Sequence, residues 1–397
     1  MKSKLWQTNN MKLNPLIEAY TVADDYIIDQ QLIPYDIKGS IAHAEMLHKI
    51  GIINKKELTQ IERGLSEILK NWNNGKFLIS QKQEDSHTAI EQFLVKNYGE
   101  IGKKIHTGRS RNDQSLVTTR LFAKDKLYSI KNSLNKLRGN FKSKIKETKN
   151  ISMPGYTHMQ KAMPATVAMW LDSYFSALDD FSSLLKTTQK IINQNPLGSA
   201  SGFGIKYFPV DRKFTTQKLQ FDKTQQNPMY CAFSRGYFEN IILQTLSSAM
   251  IIFGRFANDM MIFTTQEFDF FSLPDDFTTG SSIMPQKKNY DVFEIMRGNI
   301  KVFHSYQSQI QEIISSLGSG YHRDLQLTKK PFIAGINLCQ STIELMTEII
   351  QALRVNKVAL QKAMTKDLFV TNEVYKLVKK GKNFRDAYIG IKKQWNK

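Results

Sequence analysis

Residues 280–289, which read GSSIMPQKKN, carry the densest set of chemically useful groups in this chain. Gly280 permits unusual backbone angles and a close approach of the main chain to a ligand. Ser281 offers a hydroxyl for proton transfer, and Lys287 and Asn289 can stabilise a negatively charged oxygen. Together these groups are suited to removing a proton next to a carboxylate and holding the carbanion that results.

A second polar segment, residues 106–114, reads HTGRSRNDQ and ends where a helical pattern begins. Arg109 and Arg111 flank a serine, and guanidinium groups bind carboxylates through paired hydrogen bonds. A helix N-terminus adds a dipole that favours anions. The same residues also suit a solvated basic loop in which Asp113 caps the next helix. Taken alone, the segment leaves both interpretations open.

Two further segments carry histidines, and either could be structural. Asp85 and His87 lie in the first, and an acid of this kind often only caps a helix. His158 lies in the second, where an imidazole could act as a general acid or base or simply pack. Glu294, near the start of a predicted helix, could orient a histidine brought from elsewhere. Residues 321–329 add more polar groups able to bind a ligand.

Helices must position these groups, because helical periodicity dominates and alternating strand patterns are scarce. Pro154 and Gly155 predict a break in the chain. Several helical segments are apolar on more than one face, whereas an isolated bundle should have polar outer faces. We therefore expect a helical bundle that shares helices between subunits. The predicted helices cover residues 36–50, 55–72, 115–148, 164–193, 229–263, 291–315 and 331–352.

The charge balance is strongly basic, with 55 basic and 36 acidic residues among 397 and a formal net charge of +19. A basic surface attracts phosphates, so nucleic-acid binding is one interpretation. The sequence has no zinc-finger spacing, no aromatic RNA-binding signature and no dense arginine run. The lysines are scattered among asparagines and isoleucines, a pattern that indicates a general compositional bias toward lysine, and their charge could help to attract an anionic substrate. We expect no nucleic-acid partner.

The sequence also indicates the cellular compartment of the protein. Cys231 and Cys339 are its only cysteines, which indicates no disulfide framework and fits a reducing compartment. Residues 1–6 lack the apolar core of a signal peptide. Polar residues interrupt the apolar stretch 241–263, which favours a buried helix over a membrane span. We expect a cytoplasmic protein without a membrane partner.

The polar segments together resemble the argininosuccinate lyase family of the fumarase/aspartase superfamily. Residues 106–114 are similar, residue for residue, to that family's HTGRSRNDQ block. Residues 154–160 resemble its PGYTHxQ block, 280–289 its GSSxMPQKKN block, and 85–87 its acid-x-His block. Sister enzymes share the GSSxMP loop, but the RSRNDQ run distinguishes this family from them. The resemblance extends from about Leu13 to Tyr388.

The resemblance implies an all-α, three-domain lyase-superfamily subunit. An N-terminal helical domain would cover residues 1–105 and a long central helical bundle 106–350, followed by a short C-terminal helical domain over 351–397. The central bundles of four subunits would form the twenty-helix core of a homotetramer. Each active site would then draw on three subunits, which accounts for the wide separation of the polar segments.

The implied reaction is elimination of 2-(Nω-L-arginino)succinate to L-arginine and fumarate, the last step of arginine biosynthesis, without a metal or organic cofactor. Ser281 would take the Cβ proton and His158, oriented by Glu294, would serve the leaving nitrogen; the reverse assignment stays open. Lys287 and Asn289 would hold the aci-carboxylate. The groups that bind substrate or shape its pocket would be Asp85, His87, Arg109, Arg111, Asn112, Thr157, Asn289, Tyr321, Gln326 and Lys329.

The chain departs from the family pattern at several positions. Tyr290 stands where proline is usual, and Gly236 follows Arg235 where many members have an aspartate. Asp25 occupies the neighbourhood of a serine that contacts substrate in some members. The chain also ends soon after Tyr388, well short of many relatives.

Two other functions compete with the lyase interpretation. The chain could be a sister lyase acting on another fumaryl adduct, such as adenylosuccinate. It could also be a non-catalytic structural protein, because lens crystallins have been recruited from this family.

Overall fold

The computed structural model of the chain describes residues 14–395. Two sequence observations concern residues before this range. They are the absence of a signal-peptide core in residues 1–6 and the start of the family resemblance at Leu13. Both lie outside the described residues.

Helices account for most of the described chain, and the predicted all-α class is confirmed. The first seven are α1 (Pro15–Val22), α2 (Asp25–Ile28), α3 (Ile33–Lys49), α4 (Lys55–Asn73), α5 (Ser86–Tyr98), α6 (Glu100–Lys104) and α7 (Arg111–Glu147). The next four are α8 (Val167–Ile192), α9 (Arg212–Lys218), α10 (Pro228–Phe263) and α11 (Asp291–Ser315). The last four are α12 (Lys329–Ala352), α13 (Lys357–Ala363), α14 (Val370–Lys379) and α15 (Phe384–Trp395).

The strands are short and form four two-stranded sheets within the described residues. They are β1 (Ser152–Thr157), β2 (Gln160–Thr166), β3 (Gln194–Asn195), β4 (Lys223–Thr224), β5 (Phe271–Ser272), β6 (Thr279–Gly280), β7 (Lys288–Asn289) and β8 (Arg354–Val355). β3 pairs with β4 in parallel, while β1 with β2, β5 with β8 and β6 with β7 are antiparallel. Short 3₁₀ helices include Asp29–Gln31 and Arg323–Thr328.

The helix predicted over residues 164–193 is wrong at its start. Residues 152–166 form the β1–β2 hairpin, in which Pro154 lies opposite Pro164, and the helix begins at Val167. Proline lacks an N–H, but in a two-stranded sheet its position faces an unpaired edge and costs no ladder bond. The proline and glycine at positions 154 and 155 therefore predicted a break in the chain, whereas the structure places them within two paired strands.

The hairpin turns through two residues with left-handed backbone. His158 and Met159 have φ angles of 52° and 62°. Positive φ at both central positions is the geometry that matches the twist of a two-residue hairpin, although side chains with a Cβ adopt it at some cost. His158 is thus held at the tip of a rigid ribbon.

Packing divides the chain into two compact units, each built from three separate segments. The first unit contains the described residues up to 129 together with 184–246 and 304–337. The second unit contains residues 130–183, 247–303 and those from 338 onward.

The core of the first unit includes the packing of α3 against α4 and α5. Leu58, Ile61, Leu65 and Ile68 recur at helical spacing on α4 and are buried. A capping box at Asn54 closes the N-terminus of this helix. The predicted helix over residues 55–72 is confirmed because the apolar period and the cap agree.

The second unit contains an aromatic core around Trp170. Its indole ring stacks on Phe271 and Phe256, with ring centroids 4.8 and 5.6 Å away. Its Nε1–H donates to Asp259 Oδ2 at 2.8 Å, and the Tyr174 hydroxyl donates to the same oxygen at 2.6 Å. These contacts join α8 to α10 and satisfy the polar tips of half-buried Trp170 and buried Tyr174.

Among the described helices, α10 is the one whose length and composition would allow it to cross a membrane. However, 56% of its most apolar window is buried inside the protein, and core helices meet the same criteria. Phe253, Phe256 and Met260 are fully buried in the second unit. This packing supports the predicted buried helix.

Helix α10 contains a sharp kink in the part that belongs to the first unit. Arg235 has an extended backbone, with ψ at 130°, and Gly236 has φ at 76°. A Cβ added at Gly236 would lie 2.5 Å from Ile314 Cγ2. Glycine is therefore required here by both backbone conformation and space.

We expect Gly236→Ala to lower the free energy of unfolding by about 1–3 kcal/mol, because it combines left-handed strain with overpacking. Gly139→Ala is the matched control, since Gly139 lies within α7 with no atom within 4 Å of the added Cβ. It should stabilise by roughly 0.5–1 kcal/mol. Chemical denaturation would measure both, and equal effects from the two substitutions would contradict the assignment.

Candidate active site

The carboxylate of Asp113 organises the start of α7. Its Oδ1 accepts the backbone N–H of Ser110 at 2.8 Å, which confirms its capping role. Its Oδ2 accepts the N–H groups of Gly198 and Ala200 at 2.9 and 3.0 Å. Complete burial raises the pKa of Asp113 to about 6 despite these donors. The Asp113 carboxylate therefore connects the first turn of α7 to the loop that contains Gly198 and Ala200.

A polar cavity of about 180 Å³ lies beside this first turn, within the first unit. Seven of the residues predicted to bind substrate or shape its pocket line it, and charged groups of both signs make up most of its wall. The seven are Asp85, His87, Arg111, Asn112, Tyr321, Gln326 and Lys329. The cavity thus brings together residues from the second segment, from the Asp85 segment and from residues 321–329.

Lys329 is buried between two aspartates at the cavity wall. Its Nζ lies 2.7 Å from Asp25 Oδ1 and 2.6 Å from Asp29 Oδ1. Burial opposes the charge on Lys329, but the two carboxylates raise its pKa above the usual value. Burial also raises the pKa of Asp25 to about 6, although Lys329 acts in the opposite direction. Asp25 therefore carries a charge that depends strongly on its lysine partner.

Arg111 binds the acidic segment through ion pairs. Its Nη2 lies 2.6 Å from Asp85 Oδ2 and 3.1 Å from Glu84 Oε2. Asp85 also caps α5, because its Oδ1 accepts the N–H of Thr88 at 2.9 Å. Burial opposes ionisation of Asp85, yet His87 and Arg111 hold its pKa below the usual value. Asp85 is therefore both a helix cap and part of the cavity wall.

Arg109 does not line the cavity. It is buried and its Nη1 donates to Ser40 Oγ at 3.1 Å. The structure thus places Arg109 behind the wall, so the prediction that it binds substrate directly has no support in this geometry.

The kink in α10 places Arg235 in the cavity wall. Its guanidinium lies over the ring of Tyr321, 5.0 Å from the centroid, an arrangement that attracts a cation to the ring face. Gln326 Nε2 donates to the carbonyl of Thr21 at 3.0 Å. Gly236 is thus compatible with a cavity role for Arg235.

The remaining predicted residues lie in the second unit. Thr157 and His158 are exposed at the tip of the β1–β2 hairpin. Ser281 follows β6, and its Oγ accepts the backbone N–H groups of Ile283 and Met284 at 3.2 and 3.0 Å. Two such donors favour an anionic oxygen, so they assist a serine that must give up its proton.

Contacts at its base hold the loop that carries Ser281. Gly280 pairs with Lys288 in the β6–β7 ladder, and Lys288 Nζ donates to Asp275 Oδ1 at 2.7 Å. The Tyr290 hydroxyl accepts the N–H of Leu273 at 3.5 Å, and its ring packs near Phe293. A tyrosine at position 290 therefore anchors the exit of the loop through contacts that proline could not make.

Glu294 lies in the first turn of α11 and is exposed. Within residues 14–395 of this one chain, the structure gives it no hydrogen bond or ion pair with His158. The role of Glu294 in orienting His158 stays a prediction. Lys287 is exposed and Asn289 is half-buried near the same loop.

Sequence reasoning missed several residues of the cavity wall. Asp29, Ser115 and Arg323 line it, as does Asp25, which was not assigned a role. The signal that was available is the four-residue spacing of Asp25 and Asp29, which places two acids on one face of a helical segment. No group of three or more His, Cys, Asp or Glu side chains between residues 14 and 395 is arranged to hold a metal ion.

Comparison with known proteins assigns the family. A family described as Lyase matches residues 10–303. An argininosuccinate lyase of Thermotoga neapolitana is 42% identical over 98% of this chain and 97% of its own length. An argininosuccinate lyase of Bacteroides fragilis is 38% identical over 98% of this chain and 86% of its own length. The chain belongs to the argininosuccinate lyase family.

Solved structures show that the family fold is shared more widely in the fumarase/aspartase superfamily. A class II fumarase from Schistosoma mansoni superposes with a TM-score of 0.79 at 17% identity, covering 94% of this chain and 91% of the fumarase. A variant of EDDS lyase with bound fumarate superposes with a TM-score of 0.74 at 23% identity, covering 96% and 75%. At these identities the likeness concerns the fold alone.

We expect Lys329→Met to lower the free energy of unfolding by roughly 3–5 kcal/mol at pH 8, because Asp25 and Asp29 would stay buried without a cation. The pKa of Asp25 is already raised, and losing Lys329 raises it further. In the variant, Asp25 therefore takes up a proton at a pH above the wild-type pKa of about 6, and at pH 5 it is neutral. The cost of the substitution should be smaller at pH 5 than at pH 8.

Lys330→Met is the matched control, because Lys330 pairs with Asp24 at 2.6 Å on the exposed surface. Solvent screening leaves such pairs almost no effect on stability. Urea denaturation of both variants at the two pH values makes the comparison. A cost for Lys329→Met that does not change with pH would contradict the role given to Asp25.

Proposed function

We propose that this protein cleaves argininosuccinate to L-arginine and fumarate by β-elimination, the last step of arginine biosynthesis. Its membership of the argininosuccinate lyase family supports this, with 42% identity to one such enzyme over nearly the whole of both chains. The observation that carries the proposal is the charged cavity, in which seven of the residues predicted to bind substrate or shape its pocket meet.

The charges of the cavity suit the substrate. Argininosuccinate carries three carboxylates, an ammonium group and a guanidinium group. Arg111, Arg235 and Lys329 supply cations that bind carboxylates, and Asp25 and Asp85 supply acceptors for the ammonium or guanidinium group. Because most of these charges are already paired with one another, the substrate exchanges partners with them and leaves few buried charges uncompensated.

The elimination breaks the Cβ–H bond and the Cα–N bond of the succinyl group. We assign the removal of the Cβ proton to Ser281, whose oxygen receives two backbone N–H donors. Lys287 and Asn289 hold the aci-carboxylate that forms. Its electron pair then becomes the carbon–carbon double bond of fumarate while the nitrogen departs. His158, oriented by Glu294, delivers a proton to that nitrogen.

For the assembly, we propose a homotetramer in which each active site draws groups from three subunits. Large apolar side chains exposed on the helices of the second unit support this, because a monomer rarely exposes so many. They include Met169, Ile251, Ile295 and Val302. Within the proposed twenty-helix core these side chains would be buried.

Further parts of the proposal concern organisation and location. The domains are residues 1–105, 106–350 and 351–397, and the enzyme acts in the cytoplasm. It uses no metal or organic cofactor, and it binds neither nucleic acid nor membrane. Its relatives named as argininosuccinate lyases support a role among the metabolic enzymes.

We expect Ser281→Ala to reduce kcat by about 10²–10⁴-fold, as removal of a proton-transfer group does. Lys287→Met should reduce it by roughly 10²–10³-fold through loss of oxyanion stabilisation. Lys288→Met is the matched control, since Lys288 lies in the same loop but pairs with exposed Asp275. Fumarate formation from argininosuccinate, followed by ultraviolet absorbance, measures all three.

Near-normal turnover in Ser281→Ala would reject its role as the base. A folded wild type that forms no fumarate from argininosuccinate would favour the structural function instead. Release of adenosine monophosphate from adenylosuccinate would favour the sister lyase.

Shared active sites lead to a separate prediction. Asn112→Ala alters the first unit and Ser281→Ala the second, so each homotetramer should have low activity. After the two variants are unfolded and refolded together, mixed tetramers should contain some sites with neither substitution and regain part of the activity. Mixing without refolding is the control. No gain on co-refolding would contradict active sites built from several subunits.

A further inference from the structure

A buried aspartate lies directly behind one histidine of the cavity. Asp36 Oδ2 is 2.6 Å from His87 Nδ1, and both side chains are almost completely buried, with exposed fractions of 2% and 6%. His87 lines the cavity, whereas Asp36 does not. Because the two ring nitrogens lie on opposite edges of the imidazole, a partner at Nδ1 leaves Nε2 as the nitrogen available to a ligand.

Several contacts hold Asp36 in place. The Ser86 hydroxyl donates to Asp36 Oδ2 at 2.7 Å, and the Ser40 hydroxyl donates to Oδ1 at 3.4 Å. Arg109 in turn donates to Ser40 Oγ at 3.1 Å. This accounts for Arg109, which was predicted to bind substrate but lies behind the cavity wall. The positive charge of Arg109 stabilises the ionised carboxylate of Asp36.

The charged groups around His87 come from more than one element. Asp36 lies on α3, Asp85 caps α5, and Asp29 belongs to the 3₁₀ turn before α3; all three raise the pKa of His87, although burial opposes them. His106 is the neighbouring histidine, and burial together with nearby positive charges lowers its pKa to about 4. Of these two histidines, His87 is the one whose pKa is raised, because three carboxylates surround it.

We propose that Asp36 is a positioning residue that holds His87 as an imidazolium, so that its Nε2–H donates to a carboxylate oxygen of the bound substrate. The inference rests on the proposed function and extends it, because it names the group behind the cavity that fixes His87 and explains why that group must be charged. An amide in place of Asp36 would keep the shape but would not stabilise the imidazolium.

The charge of His87 determines how substrate binding depends on pH. Free histidine loses its proton near pH 6.5, and the carboxylate moves the loss in the folded protein to higher pH. When His87 deprotonates, Nδ1 keeps the proton that faces the Asp36 carboxylate, so Nε2 loses its proton and the ring loses both this donor and its positive charge. Binding of the anionic substrate should therefore weaken, and KM should rise, only at a pH above that value.

The test replaces Asp36 by asparagine, which is isosteric and can still accept the Ser86 hydroxyl. We expect KM to rise roughly 10–100-fold, the loss usual for a group that orients a ligand-binding histidine, with a smaller change in kcat. The rise of KM with pH should begin at lower pH than in wild type. Asp125→Asn is the matched control: it makes the same change at an exposed carboxylate outside the cavity, which accepts the Tyr35 hydroxyl at 2.6 Å, and it should change KM far less.

A second measurement does not depend on catalytic activity. Histidine labelled with ¹³C at Cε1 allows the His87 signal among seven histidines to be followed against pH by NMR, with His87→Gln to assign it. The wild-type signal should titrate above pH 6.5. Titration at or below pH 6.5 would overturn the proposal.

The outcomes separate this inference from the proposed function. If wild type forms no fumarate, the proposed function fails while the NMR titration still decides the state of His87. If wild type is active and Asp36→Asn has the wild-type KM and the wild-type pH profile, the positioning role of Asp36 is wrong. A lower melting temperature with unchanged KM and pH profile would likewise reduce Asp36 to a structural residue.

Discussion

The carboxylate of Asp113 is the contact on which the geometry of the cavity depends. It accepts three backbone N–H groups, one from the residue before α7 and two from the loop at residues 198–200. A buried carboxylate without such donors would cost several kcal/mol. The three bonds therefore allow one orientation of the first turn of α7, and that turn carries Arg111 and Asn112. The position of these two side chains follows from a residue that never reaches the cavity.

Around that turn, charges are arranged in pairs across different elements. Lys329 lies between Asp25 and Asp29, Arg111 between Glu84 and Asp85, and His87 against Asp36. Each pair offsets the cost of removing its members from water, and removing one member would leave the other uncompensated. A substrate with charges of both signs can enter such a site by exchanging partners. The same arrangement makes the protonation state of each group depend on the charge of its neighbour.

Much of the helical architecture could be predicted because it depends on local spacing. The helix over Asp291–Ser315 and the helix beginning at Lys55 follow directly from apolar periods and caps. The β1–β2 hairpin could not be predicted in this way. Its strands contain prolines and lack clean alternation, and their pairing depends on a turn formed by His158 and Met159 in left-handed conformation. Neither residue type favours that conformation by itself.

For the site, the sequence by itself determined the chemistry: the residue types in each polar segment, and the family, are readable from order and spacing alone. Tertiary structure decided which groups meet. It placed Arg109 behind the wall and brought Asp25, Asp29 and Arg235 to the cavity. The physical reason is that ion pairs and helix caps join residues far apart in the chain, such as Asp25 and Lys329. Local propensity carries no information about such contacts.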